Sequence, residues 1–345
     1  MQSPQLIPRY PGSKRRAARY PVWDGHTYDL AVVPFGGGLG WSQPALNAGH
    51  VRRLIVADID PAVRAVYWAW AGQEPGVEKV LNGWVELMLL PPFNRLEPQI
   101  VFDHCCSLID GEMEADRCVY AAAKILLHKL TFGGNVRANA QGKLNVSLRT
   151  DWDKALAGYT YTLPYCPTAR VLIRDNWQAA FRAVSGDNVI AFIDPPYYAP
   201  GNGPRVKGGM SRAYSAHGGE PRDRAVLDMF LDAVSAAVCD PRIRRVVATN
   251  YYGHWLETIA YDSDGVGTVQ ERAWVDYSET TGPMRDMGFE WFHDLGPLQA
   301  MNNRDFNEAK AGTVEQRTIR HEGWWELGGV RQHGRVQQMS LLEVA

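Results

Sequence analysis

Three short apolar runs, each closed by glycine, aspartate or proline, constrain the fold more than any other feature of the sequence. They are YDLAVVPF at residues 28–35, RRLIVADI at 52–59 and NVIAFIDPP at 188–196. Continuous apolar runs of this length are typical of strands buried on both faces of a parallel sheet. A fourth run, RIRRVVATN at 242–250, follows a segment with apolar residues at helical spacing, RAVLDMFLDAVSAAV. Alternating strands and helices predict an α/β fold with a doubly wound, Rossmann-like sheet.

Between about residues 62 and 132 the apolar pattern becomes helical, as in AVRAVYWAW and EADRCVYAAAKILLHKL, and β-branched runs are few. We therefore predict a mostly helical subdomain inserted into the sheet domain. The predicted boundaries are 66–154 for the insertion and 1–65 with 155–345 for the discontinuous sheet domain. The Trp-rich stretch after about residue 320 gives no clear pattern.

Composition restricts the class of protein only in part. The formal charge of −2 over 345 residues is nearly balanced, so binding to nucleic acid would need a local basic surface. The five cysteines form no C-x-x-C pair, which argues against a disulfide framework and a zinc ribbon, and the dispersed histidines predict no metal site. No apolar run is long enough to span a bilayer. We expect a cytoplasmic monomer with no membrane partner.

A glycine loop and an acid follow the first two predicted strands. The first strand leads into GGGLG at 36–40, and the second ends at Asp58 of VADID. Glycines let a ligand approach the backbone closely, and a carboxylate about 20 residues later can hold the hydroxyls of a ribose. Together they predict an adenosine-bearing cofactor, although tight packing or helix capping explains either one alone. A nicotinamide cofactor stays open, but Pro34 and Phe35 are unusual before a dinucleotide fingerprint.

The segment Asp194, Pro195, Pro196 and Tyr197 ends the third run. Two prolines fix two φ angles and remove two backbone donors, which leaves a stiff loop at the edge where α/β sheets bind ligands. The aspartate and the loop carbonyls offer hydrogen-bond acceptors, and the tyrosine offers a flat face. This combination predicts a site for a planar ring with an exocyclic amine, such as a flipped adenine.

These motifs resemble those of the DNA N6-adenine methyltransferases of the Dam-like, D12 class. FIDPPY at 192–197 is similar to the catalytic motif of that family, and PFGGGLG at 34–40 resembles its cofactor loop, usually written PFxGxG. IPRYPGSK at 7–14 resembles the N-terminal motif, and GNVRANAQGKLNV at 134–146 is similar to a pattern in the DNA-facing insertion. The motifs follow the family order and cover most of the chain.

The resemblance implies a Rossmann-like methyltransferase fold that binds S-adenosylmethionine, with the insertion as a helical DNA-recognition subdomain. The implied reaction is methyl transfer to N6 of a flipped adenine in double-stranded DNA. The Asp194 carboxylate and the Pro195 carbonyl would accept hydrogen bonds from the amine, and Tyr197 would stack on the base. The target sequence is not predicted, since it depends on a few side chains and on DNA deformation.

The resemblance also implies roles for residues at the cofactor. Tyr10 would cover the adenine, Lys14 would pair with the carboxylate, and Asp175 would contact the adenosine. The implied cofactor site consists of Tyr10, Gly12, Lys14, Pro34, Phe35, Gly36, Gly37, Gly38, Asp58, Ile59, Asp175, Asn176 and Asp194. The implied DNA contacts are Arg9, Arg137, Asn139, Lys143 and Asn145.

Two residues depart from the pattern of the family, and several alternative functions stay open. Val33 stands where many members have an acid, and Leu39 stands where the second motif glycine is commonest. The alternatives are methylation of cytosine N4 or RNA adenine, a catalytically retired DNA-binding protein, and a nicotinamide oxidoreductase in which the DPPY segment would have no role.

Overall fold

The computed structural model describes residues 5–8, 10, 13–14, 25–90, 97–134, 136, 143–164, 166, 170–197, 224–262, 267–289, 291–297 and 314–328. The strands are β1 (Leu30–Val33), β2 (Leu54–Ala57), β3 (Val171–Arg174), β4 (Val189–Ile193), β5 (Ile243–Tyr261), β6 (Gly267–Asp276), β7 (Trp291–Pro297) and β8 (Val314–Gly328). The helices are α1 (Ser42–Asn47), α2 (Pro61–Trp70), α3 (Val77–Leu89), α4 (Pro98–Ile109), α5 (Arg117–Leu130), α6 (Trp152–Leu156), α7 (Trp177–Arg182), α8 (Arg224–Cys239) and α9 (Ser278–Asp286).

The strands form one mostly parallel sheet in the order β3-β2-β1-β4-β5-β8-β7. The eighth strand, β6, is an antiparallel partner of β5 and is not part of this order. Strands β1 to β5 are parallel, whereas β8 is antiparallel to both β5 and β7. The prediction of an α/β fold with a mostly parallel sheet is thus confirmed, and the strand order is compatible with a Rossmann-like fold. The chain moves outward from β1 through β2 to β3 and then returns to the other side of β1 with β4. This reversal creates a crevice at the carboxyl ends of β1 and β4, where doubly wound folds bind ligands.

The sheet is covered on both faces because successive residues of its strands point to opposite sides. On one face Ala31, Val33 and Phe192 join a buried core with helices α2 to α5. On the other face Val32, Ala191 and the apolar side of α8 form a second core. Every residue of β1, β2 and β4 is buried, which explains why these strands are continuous apolar runs in the sequence.

The helical stretch shares one apolar cluster with the sheet, and α2 contacts β3. Helix α5 contacts α2, α3 and α4, and its buried residues belong to the same apolar cluster as those of β1 and β2. The predicted boundary between residues 65 and 66 lies inside α2. Within the described ranges, no helix combines the length and the apolar character needed to cross a bilayer.

Strand β5 is longer than the run that predicts it. The prediction ends at residue 250, whereas β5 continues to Tyr261 with β6 on one side and β8 on the other. The Trp-rich stretch after residue 320 lies within β8, where Trp324 is fully buried. Long-range antiparallel pairing stabilises this part of the sheet, and the local apolar pattern does not reveal such pairing.

Candidate functional site

A cavity of about 290 Å³ lies at the carboxyl edge of the parallel strands, near the lower end of the size range of small-molecule sites. Residues that follow β1, β2, β3 and β4 all contribute to it. The predicted residues that line it are Tyr10, Lys14, Pro34, Phe35, Gly36, Gly37, Gly38, Asp58, Ile59, Asn176, Asp194, Pro195 and Pro196. The sheet topology therefore brings together motifs that are separated by more than 150 residues in the sequence.

Several lining residues were not predicted. They are Ser13, Val33, Leu39, Gly40, Trp41, Ser42, Trp177, Gln178, Phe192 and Met229. All but Met229 lie inside a predicted motif or within two residues of a predicted motif or site residue, so their position in the sequence is the signal that could have identified them. Phe192 stacks on Trp41 at 4.3 Å between ring centroids, which gives the cavity a rigid aromatic wall. Met229 extends from α8, and its sequence context carries no signal of a role in a site.

The glycines of the loop after β1 are required by close packing of two tyrosines. A Cβ atom at Gly36 would collide with the Tyr67 hydroxyl and with Val56, and one at Gly38 would lie 2.7 Å from Cβ of Tyr10. Gly37 has a φ of 50°, in the left-handed region that favours glycine. Tight packing is thus one reason why this loop consists of glycines. The same glycines also line the cavity.

We expect Gly36→Ala to lower the free energy of unfolding by about 1–3 kcal/mol, because the added methyl group overpacks the loop against Tyr67 and Val56. Urea denaturation measures the change. Gly83→Ala in α3 is the matched control, since no atom lies within 4 Å of its added Cβ and alanine favours the helix. The control is expected to be neutral or stabilising, and equal losses in the two variants would contradict the packing argument.

Leu39 has a φ of 53°, although left-handed backbone disfavours any residue with a branched or bulky side chain. The conformational cost is about 1–2 kcal/mol. Its side chain is fully buried, and burial of a leucine contributes about 1.5–3 kcal/mol. The free energy gained by burial therefore offsets the conformational cost. This explains why a leucine is tolerated at a position where glycine is commonest in the family that the loop resembles.

The carboxylate of Asp58 is held against the glycine loop. Its Oδ2 accepts a hydrogen bond from the Gly37 N–H at 2.9 Å, and its Oδ1 accepts one from the Asp60 N–H at 2.9 Å. The Tyr67 hydroxyl donates to the Gly37 carbonyl at 2.7 Å. Burial, followed by the charge of Asp58, raises the pKa of Tyr67 well above its ordinary value, so the hydroxyl stays a neutral donor. These contacts fix the acid at the mouth of the cavity.

Asp58→Asn is expected to weaken the binding of S-adenosylhomocysteine by about 10- to 100-fold, as measured by titration calorimetry. An amide has one acceptor oxygen, so it cannot keep both backbone N–H groups and also hold a ribose. Asp103→Asn on α4 is the control, because this exposed acid also accepts a hydrogen bond, from Gln99 Nε2 at 2.7 Å, and lies outside the cavity lining. Equal affinity in Asp58→Asn and the unsubstituted protein would contradict the role of Asp58.

The two carboxylate oxygens of Asp194 differ in their contacts with the part of the chain that the structure describes. Its Oδ1 accepts hydrogen bonds from the Tyr197 hydroxyl at 2.8 Å and from Thr249 Oγ1 at 2.6 Å, and it forms an ion pair with Lys14 Nζ at 3.0 Å. No described residue donates a hydrogen bond to Oδ2. The side chain is 18% exposed and lines the cavity, so Oδ2 can accept hydrogen bonds from a ligand.

Tyr197 lies behind Asp194 and is 7% exposed. Its ring packs edge-on against Tyr251 at 4.9 Å, and Lys14 Nζ lies 4.7 Å from its centroid. Tyr197 is not among the lining residues of the cavity, so its predicted stacking on a base would require Lys14 to move. The predicted pairing of Lys14 with a cofactor carboxylate likewise competes with the ion pair to Asp194.

The acid predicted after β3 and its neighbour have different positions. Asp175 is exposed and accepts a hydrogen bond from Asn176 Nδ2 at 3.2 Å, so its predicted contact with adenosine gains no support from the geometry. Asn176 lines the cavity, and its Oδ1 caps α7 by accepting from the Ala179 N–H at 2.8 Å. The capping bond fixes the start of α7 at the edge of the cavity.

The residues predicted to contact DNA are only partly described. Lys143 and Asn145 are exposed, and Lys143 Nζ forms an ion pair with Glu112 at 2.8 Å. Arg9, Arg137 and Asn139 lie outside the described residues, as does Gly12 of the predicted cofactor site. The predicted DNA interface therefore stays a prediction.

The lining residues suit an adenosine-bearing cofactor. Asp58 supplies a carboxylate for ribose hydroxyls, and Ile59 beside it is 61% exposed, which leaves a free apolar face for an adenine ring. Gly36, Gly37 and Gly38 also line this cavity and contribute no side chain of their own to it. S-adenosylmethionine has the corresponding parts, namely an adenine, a ribose and a charged amino acid end.

A scan of the chain against protein-family models finds no match, and a search of curated proteins finds no similar sequence. The assignment of a function therefore depends on the residues of the cavity and their contacts.

Proposed function

We propose that the protein is an S-adenosylmethionine-dependent methyltransferase that acts on N6 of adenine in DNA. The observation that carries the proposal is the common cavity of Asp58 and Asp194, one acid suited to a ribose and the other to an amine. A nicotinamide oxidoreductase would need the first acid but has no use for the second. The resemblance of the motifs to the Dam-like family supports adenine N6 as the methyl acceptor and DNA as the substrate.

The cofactor would be held by the glycine loop, Asp58, Ile59 and Asn176. S-adenosylmethionine supplies a methyl group made electrophilic by its sulfonium. The residues of the chain would position the acceptor, since an aromatic amine is a poor nucleophile whose lone pair is delocalised into the ring. Hydrogen bonds from the amine to Asp194 Oδ2 and the Pro195 carbonyl would localise that lone pair and orient the nitrogen.

Three substrate pools test the proposal against its alternatives. Purified protein is incubated with tritiated S-adenosylmethionine and with unmethylated duplex DNA, the same DNA as single strands, or RNA. Label in DNA supports the proposal, whereas label in RNA alone would identify an RNA methyltransferase. The absence of transfer to any pool, despite binding of the cofactor, would contradict the proposal and favour a retired DNA-binding protein.

A further inference from the structure

Thr249 contacts the predicted catalytic carboxylate, although the sequence indicates only a strand, and no site, for the run at 242–250 that contains it. We propose that Thr249 is a positioning residue that fixes the orientation of the Asp194 carboxylate. The inference rests on the proposed function, and it adds a residue on β5 to Lys14 and Tyr197, which also contact Asp194.

The parallel pairing of β4 and β5 brings the two residues together. Ile193 pairs with Ala248, so Asp194 and Thr249 occupy the next positions on adjacent strands at the carboxyl edge. Thr249 Oγ1 lies 2.6 Å from Asp194 Oδ1, and the threonine is 0% exposed. Because water has no access to the threonine, this hydroxyl keeps Asp194 as its acceptor.

Thr249 differs from the other two donors in how rigidly it is held. Tyr197 belongs to the same loop as Asp194 and would move with it. Lys14 reaches Asp194 through a long, rotatable side chain. Thr249 has a β-branched side chain with restricted χ1, on a strand bonded to β4 on one side and β8 on the other. It is therefore the donor that fixes the carboxylate relative to the sheet.

This anchoring has a consequence for Oδ2 of Asp194. With Oδ1 held by Thr249, rotation of the carboxylate about χ2 is restricted and Oδ2 keeps its direction toward the cavity. Loss of the threonine hydroxyl would let the carboxylate rotate about χ2, so that its two oxygens change position. The amine of a bound base would then meet an acceptor in the wrong position, and small misplacements are costly to rate.

The test replaces Thr249 by valine, which keeps the shape and removes the hydroxyl. We expect kcat for methyl transfer to fall by about 10- to 100-fold, while KM for S-adenosylmethionine and the calorimetric affinity for S-adenosylhomocysteine stay within about twofold. Thr249→Ser restores the donor and should recover most of kcat. Thr280→Val is the matched control, because Thr280 is also fully buried and its hydroxyl has no hydrogen-bond partner among the described residues.

The outcomes separate this inference from the proposed function. An active unsubstituted enzyme with equal kcat in Thr249→Val would overturn the positioning role alone. A parallel loss of kcat and thermal stability that serine does not rescue would also overturn it, since that pattern indicates a packing defect. An unsubstituted enzyme that methylates no nucleic acid would overturn the proposed function, and the inference with it.

Discussion

Asp194→Asn is expected to lower the rate of methyl transfer by about 10²- to 10³-fold while the fold stays intact. Three donors converge on Oδ1, from Lys14, Tyr197 and Thr249. If the amide oxygen of the variant faces these donors, its NH₂ group faces the amine of the base. If the amide is turned around, its NH₂ group faces the three donors and its oxygen faces the amine. Neither orientation can satisfy the three donors and the amine at the same time, because the amide has only one acceptor oxygen.

The matched control is Asp228→Asn on α8, an exposed aspartate that also forms an ion pair, with Arg224 at 2.9 Å. The control removes one negative charge and one ion pair without touching the cavity, so its transfer rate should equal that of the unsubstituted enzyme. Single-turnover kinetics with saturating cofactor measures the chemical step in each protein. Retention of more than about one third of the rate in Asp194→Asn would contradict the central role of this carboxylate.

Lys124→Met is expected to lower the free energy of unfolding by about 3–5 kcal/mol. Lys124 Nζ on α5 lies 2.7 Å from Asp60 Oδ2, and the two side chains are only 5% and 7% exposed. Asp60 also caps α2, because its Oδ1 accepts from the Ala62 N–H at 2.8 Å. Removal of the lysine alone would leave a buried, uncompensated negative charge at the start of that helix. Chemical denaturation measures the loss.

Two further variants identify the cause. Lys124→Met combined with Asp60→Asn removes both charges and keeps a good capping residue, so it should recover most of the lost stability. Arg52→Met removes an exposed ion pair with Asp29 and should cost no more than about 1 kcal/mol. A double variant as unstable as the single one would show that the packing of the lysine stem, and not its charge, supports the helix.

Lys124 also connects the helical stretch to Asp58, the acid of the predicted cofactor site, through Asp60. Asp60 N–H donates to the Asp58 carboxylate, so α5, the start of α2 and the predicted ribose acid form one chain of contacts. The helices on this face therefore help to position the predicted cofactor site.

The parts of the fold that the sequence predicts are those with strong local signals. Strands β1, β2 and β4 are buried on both faces and end in glycine, aspartate or proline, so their apolar runs and their ends are both visible. The glycine loop, Asp58 and the DPPY segment follow these strands, and parallel strands place their carboxyl ends at one edge. This is why most predicted cofactor residues line a single cavity.

The parts that the sequence does not predict depend on long-range contacts. The extension of β5 to Tyr261 and the burial of Trp324 in β8 depend on antiparallel pairing over 50 residues or more. The contact between Thr249 and Asp194 depends on the register of β4 and β5, which a single threonine in ATNYY does not reveal. The ion pair between Lys14 and Asp194 likewise joins two motifs for which the sequence predicts separate partners.

Mass spectrometry of nucleosides shows whether the protein methylates adenine N6, when unmethylated duplex DNA is first incubated with the protein and S-adenosylmethionine carrying a deuterated methyl group. We predict that labelled N6-methyldeoxyadenosine accumulates with the unsubstituted protein and falls by at least about 10²-fold with Asp194→Asn. The absence of any labelled nucleoside, or equal labelling by the two proteins, would contradict the account.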